Sequence, residues 1–259
     1  MISSLYLYMT YQNTTHKIPP PPITERESAF VALTMAKLTK DILHHYSADW
    51  IRARAPQTKI SYSPGAGDAT HLKYDIKLTN LEITYGRLCA RDHFRYHSIG
   101  GWTHFHELIK FNIKNDTLGV TTLLTATCIH EFSHLISALH RDADEYSGSH
   151  HKLFYSVLKK IHKNPISVEF NKELDSALLS KGIPLTFSCG KSVISQEQIE
   201  FWDTLKAGDQ GVFIRRSNRR PPSVTMCTVS KVNQKSIDVL IEDKEVRLSK
   251  YRLFHPEHF

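Results

Sequence analysis

The sequence predicts an α+β protein in which a mixed, largely helical part is followed by an all-β part. In residues 120–139 apolar side chains recur every three to four positions, the period of a helix with a buried face. Asp116 or Thr117 is predicted to cap this helix. A second stretch with the same period covers 153–161. Beyond residue 211 the apolar residues instead alternate in short runs, as in half-buried strands.

The first 23 residues are expected to form a flexible tail that ends in the polyproline linker Pro19 to Pro22. Residues 1–11 are apolar and aromatic, but they lack a basic region and a cleavage site and are too short to span a bilayer. Thr24 is predicted to cap a helix that continues to about Leu43. We therefore expect no membrane segment and a cytoplasmic location.

Two segments between this helix and residue 120 alternate in the manner of half-buried strands. They are Ile83 to Arg91 and His106 to Asn112, and a turn is expected at Gly100 and Gly101. Together they predict a small antiparallel sheet. His104 and His106 lie on a polar stretch, so they are expected at the surface rather than in a second metal site.

The segment Cys-Ile-His-Glu-Phe-Ser-His-Leu, residues 128–135, carries the most informative pattern of the chain. Residues four apart lie one turn apart on the same face of a helix, so His130 and His134 can bind one metal ion. Glu131 then lies beside the metal without binding it. Two histidines and a glutamate in a buried helix would be costly to desolvate unless a partner such as a metal ion satisfied them.

This pattern predicts one catalytic Zn²⁺ ion. Zinc that is held by three protein ligands keeps a fourth position for water, lowers the pKa of that water and polarises a carbonyl oxygen. Glu131 could take the proton of the attacking water and pass it to the leaving nitrogen, the general acid/base role. The alternative is a chance pair of partly exposed histidines at the flank of the helix.

The third ligand is expected from the start of the second helix. A histidine in its first turn, after the exposed loop 141–146, could fold back over the first helix and close the site. His150 and His151 are both candidates. The acidic residues of the loop are expected at the surface, although a glutamate ligand remains an alternative.

The order of HExxH, loop and His-x-x-x-Phe resembles the SprT-like zinc metalloproteases, the family that includes Spartan. The resemblance implies a zincin-like catalytic domain in which His130, His134 and His150 bind zinc. It also implies that Glu131 is the catalytic acid/base and that His151 is a solvated neighbour. The two strand-like segments resemble the strands that precede the metal helix in that family, and an edge strand there could bind an extended polypeptide. The implied substrate is protein, including protein crosslinked to DNA.

The family frequently carries a four-cysteine zinc ribbon after the catalytic helices, and this sequence departs from that pattern. Its cysteines are scattered and form no Cys-x-x-Cys pair: Cys89, Cys128, Cys189 and Cys227. A structural zinc ion is therefore not expected from them. Without a disulfide-like spacing they are predicted to be reduced thiols of an intracellular protein.

In place of the ribbon, closely spaced strands predict a small SH3-like barrel, similar to the C-terminal barrel of some bacterial and phage SprT-like proteins. The predicted strands are Val212 to Ile214, Val224 to Val229, Ser236 to Ile241 and Glu245 to Leu248, with a turn at Asn233 to Lys235. The expected domain boundaries are 24–183 for the catalytic domain, 184–202 for a linker and 203–259 for the barrel.

The first long loop of the predicted barrel is expected to bind nucleic acid. It contains four arginines, which can contact phosphates: Arg215, Arg216, Arg219 and Arg220. The net charge of +7 also favours a polyanionic partner such as DNA. A solvated basic loop without a ligand is an equal alternative.

These patterns predict a zinc-dependent metalloendopeptidase that uses Glu131, and the resemblance implies that it acts on proteins, including proteins bound or crosslinked to DNA. One alternative is a nucleic-acid-associated binding protein with a structural zinc ion and no hydrolysis. Another is a hydrolase that acts on a non-peptide bond. HExxH favours peptides, because phosphoester enzymes more often use paired metals with several carboxylates.

Overall fold

The computed structural model describes eight segments of the chain: 22–75, 77–94, 119–140, 150–186, 196–217, 220–233, 236–248 and 253–256. The chain divides into two compact units, one within Pro19–Val193 and the other within Ile194–Phe259. Both contain helix and strand, and the predicted α+β class is confirmed. Among the described residues, no helix combines the length and the apolar character needed to cross a membrane.

The first unit begins with three consecutive helical segments. Helix α1 (Glu25–Leu38) starts at the predicted cap, where Thr24 and Glu27 form a reciprocal capping box. A π-helical segment, Thr39–His44, continues it, and helix α2 (Ala48–Arg54) follows after a turn. The predicted first helix is thus confirmed to about Leu43, and its last six residues are π-helical.

A three-stranded sheet packs beside these helices. Strands β1 (Lys59–Gly65), β2 (His71–Tyr74) and β3 (Asn80–Gly86) are arranged in the order β1-β3-β2. Strand β1 is parallel to β3, and β2 is antiparallel to it. The described sheet is therefore mixed, and the prediction of an antiparallel sheet was wrong for β1.

The predicted strand Ile83 to Arg91 is only partly correct. Strand β3 ends at Gly86, and helix α3 (Arg87–Asp92) replaces the rest. At Gly86 the backbone passes so close to a neighbouring loop that an added Cβ would lie 2.6 Å from the carbonyl oxygens of Gly67 and Ala69. Leu88 N donates to Gly67 O across the same contact. These nonlocal contacts end the strand, whereas His106 to Asn112 lies outside the described residues.

Helix α4 (Val120–Leu139) is the central element of the first unit, and all its residues except Thr122 and His134 are buried. The structure confirms the predicted long, buried helix. Its N-cap is Gly119, however, and not Asp116 or Thr117. With Gly119 at the cap, no side chain accepts a hydrogen bond from the first turn of α4.

Two helices that follow one another in sequence complete this unit, α5 (Lys152–His162) and α6 (Pro165–Leu179). Both pack against α4. Asn164 caps α6, where its side chain accepts from Ile166 N at 3.0 Å, and Pro165 follows at the first helical position. The core between these elements includes the fully buried aromatic side chains of Tyr85, Phe132, Phe154 and Phe170.

The second unit combines helix α7 (Gln196–Thr204) with a five-stranded antiparallel sheet. Its strands are β4 (Gln210–Ser217), β5 (Arg220–Val232), β6 (Ile237–Ile241), β7 (Lys244–Leu248) and β8 (Leu253–Phe254), in the order β7-β6-β5-β4-β8. Helix α7 covers residues 196–202 at the end of the expected linker, and the indole of Trp202 donates to Leu253 O at 2.6 Å. The four predicted strands lie within β4 to β7.

The expected long arginine loop is replaced by a hairpin. Strands β4 and β5 continue their pairing to Ser217 and Arg220, so Arg215 and Arg216 lie within β4 and Arg220 begins β5. Arg219 lies outside the described residues. The pairing of these strands shifts its register between Arg215 and Ser217, which the alternation of apolar residues did not indicate.

Candidate metal centre

Helix α4 brings two of the predicted ligands to one face. The Nε2 atoms of His130 and His134 lie 3.1 Å apart, and the ring centroids are separated by 4.7 Å. His130 is 5% exposed and His134 is half-buried, so the pair lies where the buried helix meets solvent. The i, i+4 spacing therefore places the two imidazoles as the sequence predicts.

The third imidazole comes from the residues that lead into α5. His150 Nε2 lies 3.3 Å from His130 Nε2, and the His150 and His134 rings are 5.0 Å apart. His150 lies at the exposed side of the group, and the three ligand nitrogens lie within 4.8 Å of one another. The structure thus brings together three histidines that can hold a metal ion.

The nitrogen separations test whether a metal of zinc's size fits. With metal–nitrogen bonds of about 2.0–2.1 Å, two ligands of a tetrahedral ion lie about 3.3–3.4 Å apart. The observed separations from His130 are 3.1 and 3.3 Å. These two separations fit one tetrahedral ion, and all three ligand nitrogens lie within 4.8 Å of one another, so a lone pair from each could reach the same ion.

Phe154 packs against the rings of the three histidines. It is fully buried on α5, and its ring contacts the imidazoles of all three histidines. The ring of His134 is stacked on it at 4.3 Å, whereas His130 and His150 meet it edge-on at 5.0 Å. The sequence indicated this residue only through its spacing from His150. Its contact with all three imidazole rings is visible only in the structure.

His151 is not the solvated neighbour that was expected. It is half-buried at the N-cap of α5, where its Nδ1 atom accepts from Phe154 N at 3.5 Å. Its side chain is therefore directed at the helix start, while His150 is directed at the metal centre. The choice between the two histidines follows from this difference.

The surroundings of His150 keep its imidazole neutral. Burial, with additional repulsion from His130 and His151, lowers the pKa of His150 to about 4. A neutral imidazole is the form that binds metal. Burial also lowers the pKa of His162, at the end of α5, to about 4, with a contribution from His130. The sequence gave no indication that His162 shares this environment.

Glu131 lies next to His130 on α4 and is 7% exposed. One turn earlier on the helix is Cys128, which is fully buried near Tyr85 and Thr39. Thr39 Oγ1 donates to Met35 O at 2.8 Å, so the 2.7 Å contact between Tyr85 and Thr39 has the phenol as its donor.

The Tyr85 phenol and the Cys128 thiol near Glu131 are both neutral. Burial, followed by the proximity of Cys128 and then of Glu131, raises the pKa of Tyr85 well above its usual value. Burial likewise raises the pKa of the Cys128 thiol. Glu131 therefore lies close to two neutral polar groups, the Tyr85 phenol and the Cys128 thiol.

The C-terminal end of α4 is fixed by α2. Arg54 Nε donates to Leu139 O at 3.0 Å, and Arg54 Nη2 donates to His140 O at 3.4 Å. The ring of His140 packs on Trp50 with a centroid distance of 4.5 Å. This contact holds the helix end from which the chain continues towards His150.

Among the described residues, the group that could hold a metal ion consists of these three histidines. The arginines of the β4–β5 hairpin belong to the second unit. Cys89, Cys128 and Cys227 are buried and form no disulfide with one another, and Cys189 and His104 lie outside the described residues.

Comparison with protein-family models, with curated proteins and with solved structures finds no match to this chain. The functional conclusion therefore depends on the geometry of the site.

Proposed function

We propose that this protein is a zinc-dependent metalloendopeptidase. The observation that carries the proposal is the convergence of three histidine nitrogens beside a buried glutamate on the same helix. Three nitrogen ligands leave one position of a tetrahedral ion open, as in catalytic sites, whereas structural zinc ions are usually enclosed by four protein ligands. Imidazole ligands suit zinc among the metals that are common in proteins.

Three histidines would bind the zinc ion, and a phenylalanine would support them. His130, His134 and His150 would hold the ion through their Nε2 atoms, and Phe154 would keep the three rings in position. When bound, zinc supplies Lewis-acid chemistry that lowers the pKa of water and polarises a carbonyl group.

Glu131 would carry the proton. Its carboxylate would accept a proton from the attacking water and donate it to the leaving nitrogen of the peptide bond. Its position directly after His130 keeps it near the ligands, while its helical direction differs from theirs by about 100°. This offset is what allows it to act as a base rather than as a ligand.

Three features support a zincin-like, SprT-like catalytic domain. HExxH lies on a buried central helix, the third histidine directly precedes the N-cap of α5, and Phe154 contacts all three rings. Among the described strands, β2 is at an edge of the sheet and contacts α4. An extended polypeptide paired with β2 would pass beside this helix, which favours a protein substrate.

The second unit is proposed to be an SH3-like barrel that associates with DNA. Four strands follow one another as a meander, and β8 returns to pair with β4 at Val212 and Phe213. The β4–β5 hairpin places several arginines near its end in sequence. These arginines and the net charge of +7 would bind DNA phosphates and so bring DNA-bound or DNA-crosslinked protein to the catalytic unit.

Metal dependence and substrate class can be tested in one experiment. The purified chain is stripped with a chelator and returned to zinc, and cleavage of an unfolded protein and of a DNA-binding protein is followed. Each reaction is run without DNA, with single-stranded DNA and with double-stranded DNA. We expect cleavage only with zinc, and faster cleavage of the DNA-binding protein when DNA is present.

A panel of ester and phosphoester substrates serves as the control. Turnover of these substrates without peptide cleavage would favour a different hydrolase. Zinc binding without any turnover would favour a binding protein with a structural zinc ion. Cleavage that is unaffected by DNA would remove the DNA-linked part of the proposal and leave the peptidase.

A further inference from the structure

A cavity lies in the first unit, on the side of α4 that faces away from the histidines. Its volume is about 620 Å³, within the range of small-molecule sites. Phe132 of α4 forms part of its wall. Because Phe132 follows His130 by two positions, their side chains leave the helix in directions about 200° apart. The cavity is therefore separate from the proposed metal centre.

The inner wall of the cavity is apolar. Leu43 of the π-helical segment, Phe132 of α4 and Ile166 of α6 are buried there, and the partly buried Ile161 of α5 packs with them. These four side chains come from four separate elements of the unit. Because Leu43 and Phe132 are only 1% exposed, the apolar surface open to a ligand belongs to the partly buried Ile161, the exposed Pro165 and the ring of Tyr46.

The rim of the cavity is positively charged. Lys159 and Lys160 in the last turn of α5 and Lys163 at its C-cap are exposed and line the opening. The residues that line the cavity include no aspartate or glutamate. An anion at the rim would therefore meet three lysines without an opposing carboxylate.

One polar pair at the rim is already fixed. Asn164 Nδ2 donates to the hydroxyl oxygen of Tyr46 at 2.7 Å, and Asn164 Oδ1 accepts from Ile166 N. Both side chains line the cavity. Because Tyr46 accepts this bond, its own hydroxyl hydrogen can be donated to a ligand, and the bond orients the phenol before binding.

We propose that this cavity binds a small organic anion with an apolar body, namely a carboxylate on a medium-length hydrocarbon. The hydrocarbon contacts Ile161, Pro165 and the ring of Tyr46, and the carboxylate lies among the lysines and the Tyr46 hydroxyl. The volume of the cavity is sufficient for a molecule of this size. An acidic protein surface would reach the lysines but would leave this recessed apolar surface in contact with water.

The first test measures binding of decanoate to the full-length, zinc-loaded protein by titration calorimetry. Acetate supplies the charged group alone and 1-decanol supplies the apolar body alone. We expect decanoate to bind at one saturable site, at least about tenfold more tightly than either part. Equal binding of decanoate and 1-decanol, or no saturable binding of decanoate, would overturn the proposal.

The second test locates the site with variants. Lys160→Gln with Lys163→Gln should weaken decanoate binding about tenfold, because both ion pairs are lost. Lys37→Gln with Lys73→Gln removes the same charge from exposed positions of the same unit that do not line the cavity, and it should leave binding unchanged. Equal weakening in both pairs would show a nonspecific charge effect and reject the site.

Ser47→Trp supplies an independent variant that fills the cavity. Ser47 lines the cavity and makes no side-chain cap hydrogen bond at the start of α2. The larger side chain should abolish decanoate binding in a protein that still unfolds at the wild-type temperature. Retained binding in such a protein would contradict the location. If Ser47→Trp does not fold, the lysine pairs decide the question.

Discussion

Phe154 contacts three histidine rings at once, so its role can be separated from that of the ligands. We predict that Phe154→Leu lowers zinc affinity about 10- to 100-fold although every ligand is retained, because the rings lose their common support. Phe170→Leu is the matched control, since Phe170 is equally buried but lies on α6. Zinc affinity of both variants is measured by competition with a chelating dye. Equal effects would show that general destabilisation is the cause.

The neighbouring histidines His150 and His151 have different roles and therefore predict different losses. His150→Ala should lose zinc, because two protein ligands remain. His151→Ala should keep one zinc ion per chain and lose about 0.5–1 kcal/mol of stability with its helix cap. Metal content and denaturant unfolding of the two variants check this. Equal zinc retention in both would reject the proposed triad.

Acid should destabilise the metal-free chain through its histidines. The pKa values of His150 and His162 are about 4 in the folded state, below the ordinary value of about 6.5 expected in the unfolded chain. Between these values the unfolded chain binds protons that the folded chain does not. Stability should therefore be complete above pH 6.5 and fall as the pH decreases towards 4.

The His162→Gln variant tests this pH dependence. Its unfolding midpoint in urea should fall less between pH 7 and pH 4.5 than that of the wild type, because one of the responsible groups has been removed. Parallel slopes for the two proteins would contradict the assignment of His162.

At the scale of elements, the end of α4 depends on α2. Arg54→Ala removes the guanidinium that bonds to Leu139 O and His140 O, and we predict a loss of about 1–2 kcal/mol. Arg52→Ala is the control on the same helix. Its ion pair with Asp49 is exposed, so we expect a change below about 0.5 kcal/mol. Chemical denaturation of the first unit measures both, and similar losses would contradict the capping role.

The elements also show how far periodicity alone predicts structure. The helix at residues 120–139 could be predicted because one strong apolar period covers almost its whole length. Helix α3 could not be predicted, because residues 87–91 alternate like a strand and a nonlocal contact at Gly86 ends β3. The end of the arginine hairpin was missed for a similar reason, since strand pairing extends beyond the apolar residues.

At the scale of the whole molecule, the metal centre was more predictable than the fold around it. A helix fixes the relative positions of residues four apart, so the sequence sufficed for His130 and His134. His150 required a resemblance in spacing, because residues 141–149 separate it from α4 and no helical period connects the two. The platform role of Phe154 and the cavity behind Phe132 depend on packing between helices, which no local pattern specifies.

The central claim is that Glu131 performs hydrolysis at a zinc site it does not ligate. The most direct measurement compares zinc content and peptide cleavage of wild type and Glu131→Gln, purified side by side. We expect one zinc ion per chain in both proteins and a fall in turnover of at least about a hundredfold in the variant. Equal cleavage by both proteins, or loss of zinc from Glu131→Gln, would contradict it.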